Sequence, residues 1–114
     1  MPEFSIIILT FNTFKLIRSC LDSVFGQYYQ DFEVIVVDNG STDGTVGFIK
    51  ENYPQVNLIE NRENQGACRA RNQGIEIAKG KWVLTLDCDV ILEKVFLSRI
   101  LNKTKNLSAE VGMI

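Results

Sequence analysis

Short β-branched runs alternate with amphipathic stretches along this chain, and that alternation constrains the fold more than any other feature. Residues 5–10 (SIIILT) and 32–38 (FEVIVVD) are continuous apolar runs that end in a polar residue. Strands covered on both faces read this way. Residues 56–60 (VNLIE) give a shorter third strand and residues 81–87 (KWVLTLD) a fourth. Between the first two, Leu16, Ile17, Cys20, Leu21, Val24 and Phe25 fall on one side of a helix capped by Asn12 or Thr13. After the turn at 39–44 (NGSTDG), Val46, Ile49 and Tyr53 are in phase on a second helix, which Pro54 stops. A polar loop over 61–65 leads to a third helix whose inward positions, Ala67, Ala70, Gly74, Ile75 and Ala78, are mostly small, with Gly80 as its C-terminal cap. A fourth helix from about Glu93 turns Phe96, Leu97, Ile100 and Leu101 inward. The order β-α-β-α-β-α-β-α with short connections predicts an α/β fold: an open, mainly parallel sheet with helices on both faces and right-handed crossovers.

The chain has 114 residues, enough for a single domain over 1–114. Residues 106–110 read as a turn, and 111–114 (VGMI) as the opening of a fifth strand cut short, so the expectation is the N-terminal fragment of a longer protein. The net charge of -2 and the lack of any basic run argue against nucleic acid as a partner, because phosphate binding needs clustered Lys and Arg. There is no histidine, which removes His-based general bases, Ser-His-Asp triads and Cys-His dyads. The three cysteines, Cys20, Cys68 and Cys88, lack metal-ligand spacing; reduced thiols point to the cytoplasm. The N-terminus has no basic signal-peptide segment, and no apolar run approaches the ~20 residues of a membrane helix.

Ligands of open parallel sheets bind at the carboxyl ends of the strands, near the point where strand order reverses. Here the first strand exits into residues 10–12 (TFN), the second into 38–41 (DNGS) and the fourth into 87–89 (DCD), three polar exits on one edge. Asp87 and Asp89, one residue apart beside an apolar strand end, suit one hard cation that keeps waters and takes diphosphate oxygens; acids that merely end a strand look the same. Asp38 either caps its own turn through the Ser41 or Thr42 amides or accepts hydrogen bonds from a nucleoside. Arg71 falls in phase with the inward face of the third helix, as a rim arginine or as a cation reaching a base, a phosphate or Asp38.

These segments, together with 33–45 (EVIVVDNGSTDGT), 64–66 (NQG), 70–72 (ARN), Gly74 and 80–89 (GKWVLTLDCD), resemble the N-terminal half of the family 2 glycosyltransferases over nearly the whole chain. The resemblance implies the Rossmann-like GT-A fold, a nucleotide-diphosphate-sugar donor with a UDP-sugar favoured, Mg²⁺ or Mn²⁺, and inversion at the anomeric carbon. It assigns Asp38 to the base, Thr10 and Asn12 to the nucleoside pocket, and Arg71 to the base and phosphates. Asp87 then serves the ribose or the metal's water shell, and Asp89 coordinates the metal. Leu9 departs from the proline common at that position. The resemblance also implies that the acceptor half and the general base lie downstream, so the chain is a donor half-site with no catalytic base of its own, inactive alone. The acceptor it implies is a saccharide or a lipid-linked group, as in relatives that build cell-envelope polysaccharide, and the expected location is the cytoplasm, with the inner face of the membrane as the alternative for the full-length protein. If the chain is such a fragment, the expectation is that apolar surface left by truncation favours homo-oligomers.

Two other readings fit the pattern less well. A non-catalytic receiver-like signalling domain needs an acidic pair at the first strand exit, where Thr10 and Asn12 stand, and a lysine ending a fifth strand. A sugar-nucleotide pyrophosphorylase needs a Gly-rich loop after the first strand, which is absent.

Overall fold

The computed structural model describes residues 1–105, so the expected fifth strand at 111–114 lies outside the described residues. Four strands, β1 (Phe4–Thr10), β2 (Phe32–Asp38), β3 (Asn57–Glu60) and β4 (Trp82–Asp87), form one sheet in the order β3-β2-β1-β4. All neighbours are parallel. Four helices alternate with them: α1 (Phe14–Phe25), α2 (Thr45–Asn52), α3 (Ala67–Ile77) and α4 (Phe96–Thr104). The α/β reading therefore holds. The third strand begins one residue later than expected, and the fourth helix begins at Phe96 rather than near Glu93.

Period-2 alternation distributes the strand side chains between two cores. Phe4, Ile6, Ile8, Val34, Val36, Trp82, Leu84 and Leu86 pack with α1, α2 and α4 through Ile17, Cys20, Leu21, Val24, Ile49 and Leu97. Ile7, Ile35 and Val37 face the other way, against Ala70 of α3. The small residues of α3 let it lie close to the sheet: a Cβ on Gly74 would stand 2.7 Å from Ile7 Cγ2. Leu16 departs from expectation. It is exposed, because the buried stripe of α1 runs through Ile17, Cys20, Leu21 and Val24 and leaves Leu16 just outside it. Gly80 is no helix cap either, since Ala78 ends α3; a Cβ at Gly80 would come within 2.6 Å of the Ser5 amide, so this glycine lets the loop cross β1. No helix among the described residues is long and apolar enough to cross a membrane.

Burial also sets a pH limit. Desolvation, reinforced by the neighbouring Cys88 and Asp89, pushes the Cys20 thiol up to about 12. A thiol held neutral in the fold but free to ionise near its ordinary value when unfolded contributes stability that is complete below pH ~9 and is lost as pH rises toward 12. Urea midpoints should therefore fall between pH 9 and 11, and Cys20→Ala should flatten that decline. It will not abolish it, because burial and the hydrogen bond to Asp22 raise Tyr53 to about 12 as well. An alkaline slope identical in wild type and Cys20→Ala would refute the assignment.

Candidate functional site

Strand register aligns the polar exits. Thr10 pairs with Asp38, Asp38 with Glu60 and Leu9 with Asp87, so β1, β2 and β4 end level with one another. Strand order runs outward from β1 to β3 and then returns to the other side of β1, which puts the switch point between β1 and β4. A cleft of about 300 Å³ opens there, lined by Leu9, Thr10, Phe11, Thr13, Asn39, Asn64, Ala67, Asp87 and Cys88. A narrower hollow of about 160 Å³ adjoins it, where Arg71 of α3 meets Leu9, Thr85, Leu86 and Asp87. Asp87 belongs to both.

The loops above β1 and β2 are stitched together. Thr10 Oγ1 donates to Asp38 Oδ1 at 2.6 Å, and the Asn39 amide donates to the Thr10 carbonyl at 2.9 Å. Asn12 sits at φ 51, a left-handed conformation that asparagine tolerates. Its amide donates to Ser41 Oγ and its Oδ1 accepts from the Thr42 amide, both at 2.8 Å. Asp43 does what a local cap was expected to do. Its carboxylate accepts from the Phe14 amide at 3.0 Å, starting α1, and from the Thr45 amide and hydroxyl, starting α2. Desolvation works against the Asp43 carboxylate, but these bonds, the Thr45 hydroxyl first, outweigh it and hold its pKa below the ordinary value.

The expected site residues separate into groups. Thr10 and Asp87 line the cleft, and Arg71 reaches its edge beside Asp87. Asp89 follows Asp87 on the exposed β4 exit; both carboxylates are exposed rather than buried. Asn12 instead borders a separate hollow of about 510 Å³ with Thr13, Phe14, Lys15, Leu16 and Asp43. That hollow is larger but mostly apolar, and its acid is already engaged at two helix starts. Asp38 is 1% exposed and does not line the cleft. Its Oδ1 accepts from the Thr10 and Ser41 hydroxyls, each at 2.6 Å, and its Oδ2 from the Gly40 and Ser41 amides at 3.1 and 2.8 Å. A carboxylate offers about four lone-pair positions, and all are taken. Asp38 therefore caps its own turn, through Gly40 and Ser41 rather than Thr42, and has no bond to Arg71. The side chain at the cleft wall is its neighbour Asn39, which sequence reasoning passed over.

Asp87 and Asp89 supply hard oxygen donors, and no third His, Cys, Asp or Glu joins them in a cluster among the described residues. The pair fits Mg²⁺ or Mn²⁺, ions that take one or two carboxylates and fill their remaining positions with water and phosphate oxygens.

Comparison with known proteins gives a consistent result. The sequence profile described as Glycosyl transferase family 2 matches residues 5–112. An Escherichia coli K12 protein described as the uncharacterized glycosyltransferase YibD is 41% identical over 90 residues, covering 76% of this chain and 26% of its own length. The mannosyltransferase PcManGT from Pyrobaculum calidifontis, solved in complex with GDP-Man and Mn²⁺, superposes with a TM-score of 0.85 at 30% identity over 92% of this chain and 33% of its own. TarS from S. aureus in complex with UDP-GlcNAc gives 0.83 at 31% identity, over 90% of this chain and 31% of its own. The chain thus spans about a quarter to a third of the length of these three proteins.

Proposed function

The chain belongs to glycosyl transferase family 2, and from that premise we propose that it binds a nucleoside-diphosphate sugar with a divalent cation, as the donor side of an inverting transferase. The observation that carries this reading is the cleft at the switch point, with Asn39 at one end, Thr10 in the middle and Asp87 at the other end. Asn39 follows β2 and Asp87 ends β4, with β1 between them. Two strand spacings separate these positions by about 10 Å, room for a base at one end and a diphosphate at the other.

In this reading Asp87 and Asp89 hold Mg²⁺ or Mn²⁺, which would neutralise charge building on the leaving diphosphate. Arg71 adds a guanidinium beside Asp87, suited to phosphate oxygens. Thr10 and Asn12 act together with Asp38 by holding the two loops that shape the nucleoside end. Transfer with inversion forms a bond from an acceptor hydroxyl to the anomeric carbon and breaks that carbon's bond to the diphosphate. The hydroxyl proton passes to a base that, with the acceptor site, we place in the part of the relatives' length this chain does not span. UDP is the favoured nucleotide, because it is carried by the donor bound in TarS; the GDP-Man of PcManGT makes GDP the control.

Calorimetric titration of the chain with UDP, GDP and TDP, in Mn²⁺ and again in EDTA, tests the proposal. UDP binding in Mn²⁺ that disappears in EDTA is expected. Failure of every nucleoside diphosphate to bind would overturn it.

A further inference from the structure

We infer that Asn61 and Gln73 form an amide relay that locks the Asn39 side chain with one N–H free for the cleft, so that this wall recognises a hydrogen-bond acceptor on the donor's base; the inference rests on the donor-binding role proposed above. The orientation of Asn39 is set by backbone groups whose polarity is unambiguous. Its Oδ1 accepts from the Gln65 amide at 3.4 Å, and its Nδ2 donates to the Gly66 carbonyl at 3.3 Å. Turning the carboxamide over would place like against like at both contacts.

That choice propagates outward. Asn61 Nδ2 donates to Asn39 Oδ1 at 3.0 Å, so Asn61 must show its amino group to Asn39. The same amino group donates to Gln73 Oε1 at 2.8 Å, and Gln73 Nε2 returns a bond to Asn61 Oδ1 at 3.0 Å. The Asn61 amide is itself fixed by the Asp38 carbonyl at 2.9 Å, and Gln73 rides on α3, the helix that also carries Arg71. With both lone pairs of Asn39 Oδ1 accepting and one Nδ2 hydrogen donating, its remaining valence is one N–H. Asn39 lines the cleft yet is only 6% exposed. A donor so enclosed favours a ligand that brings a carbonyl oxygen or a bare ring nitrogen, and penalises one that brings another N–H. Uracil meets this requirement through either of its carbonyl oxygens.

Gln73 is a positioning residue here, since it acts through Asn61 and Asn39. The test compares wild type, Gln73→Met, which removes the amide at similar size, and Gln73→Glu, which still accepts from Asn61. UDP and Mn²⁺-pyrophosphate are titrated against each. Gln73→Met should weaken UDP by about 10-fold, the scale of one hydrogen bond, and leave pyrophosphate unchanged; Gln73→Glu keeps the acceptor for Asn61 Nδ2 but sets a carboxylate oxygen against Asn61 Oδ1, and should recover only part of the loss. A second readout needs no ligand: the Asn39 side-chain NH₂ resonances, assigned by their absence in Asn39→Ala, should lie away from the positions of a free asparagine in wild type and move toward them in Gln73→Met, since slow C–N rotation keeps the two hydrogens distinct in either case. Equal UDP affinity in wild type and Gln73→Met, or parallel losses of UDP and pyrophosphate, would overturn the relay. If no nucleoside diphosphate binds wild type, the donor-binding reading falls by itself, and the NH₂ resonances still decide whether Asn39 is locked.

Discussion

Asp89→Ala should lower UDP affinity in Mn²⁺ by about 100-fold, to the level that wild type shows in EDTA. Few compensations are available at this site. Asp87 and Asp89 are the carboxylates of the β4 exit, and no cluster of three metal-ligating side chains stands among the described residues. A hard cation there draws its remaining ligands from water and diphosphate, so losing one carboxylate removes half of the protein's hold on it. Both side chains are exposed, and the fold asks little of them: the local bond that shapes the turn, from the Val90 amide to the Asp87 carbonyl at 3.1 Å, uses backbone alone. Stability should therefore stay within about 0.5 kcal/mol of wild type, which separates lost ligation from lost structure. Asp89→Asn, which keeps one neutral oxygen donor, should fall between the two. Undiminished Mn²⁺-dependent binding in Asp89→Ala would remove the carboxylate pair from the proposal.

The sheet was legible because its strands are β-branched runs bounded by polar exits, and because parallel strands joined by short loops must pass through helices. What stayed hidden depended on partners distant in sequence. No local pattern announces that the Phe14 amide is capped by Asp43, across a β-α unit, in place of the neighbouring Asn12 or Thr13. Leu16 was misplaced because an apolar residue beside a buried stripe has the same phase, to within one helical position, as a residue inside it. The hardest distinction was between Asp38 and Asn39. Successive residues of an extended chain point to opposite sides, so the exit of β2 turns one polar side chain inward and the next toward the cleft. Which one faces the cleft depends on where the strand stops and on what the turn does with its amides. The resemblance drew attention to the aspartate, whereas the geometry leaves the asparagine at the cleft wall.

Asp38→Ala should cost about 3–5 kcal/mol of folding stability, whereas Asp38→Asn should cost about 1–2 kcal/mol. The alanine variant strips acceptors from the Gly40 and Ser41 amides and from the Thr10 and Ser41 hydroxyls. Thr10 is only 2% exposed, so water cannot readily replace the lost partner there. The turn depends on the same bonds: Gly40 is held at φ 91 and packed so closely on residues 62 and 63 that a Cβ would lie 3.0 Å from Glu63 Cα. Asparagine has nearly the same shape and a workable pattern, its oxygen toward the two amides and its amino group toward the two hydroxyls, each of which can rotate to accept. With m-values of about 1–3 kcal/mol/M for small domains in urea, the alanine variant should unfold roughly 2 M earlier than wild type and the asparagine variant about 0.5–1 M earlier. A carboxylate whose main task was to read a base would give the opposite pattern. Asp38→Asn would then lose UDP affinity sharply at almost unchanged stability, and Asp38→Ala would unfold no earlier than other surface variants. The ratio of stability loss to affinity loss in Asp38→Asn thus separates a residue that builds the cleft from one that contacts what enters it.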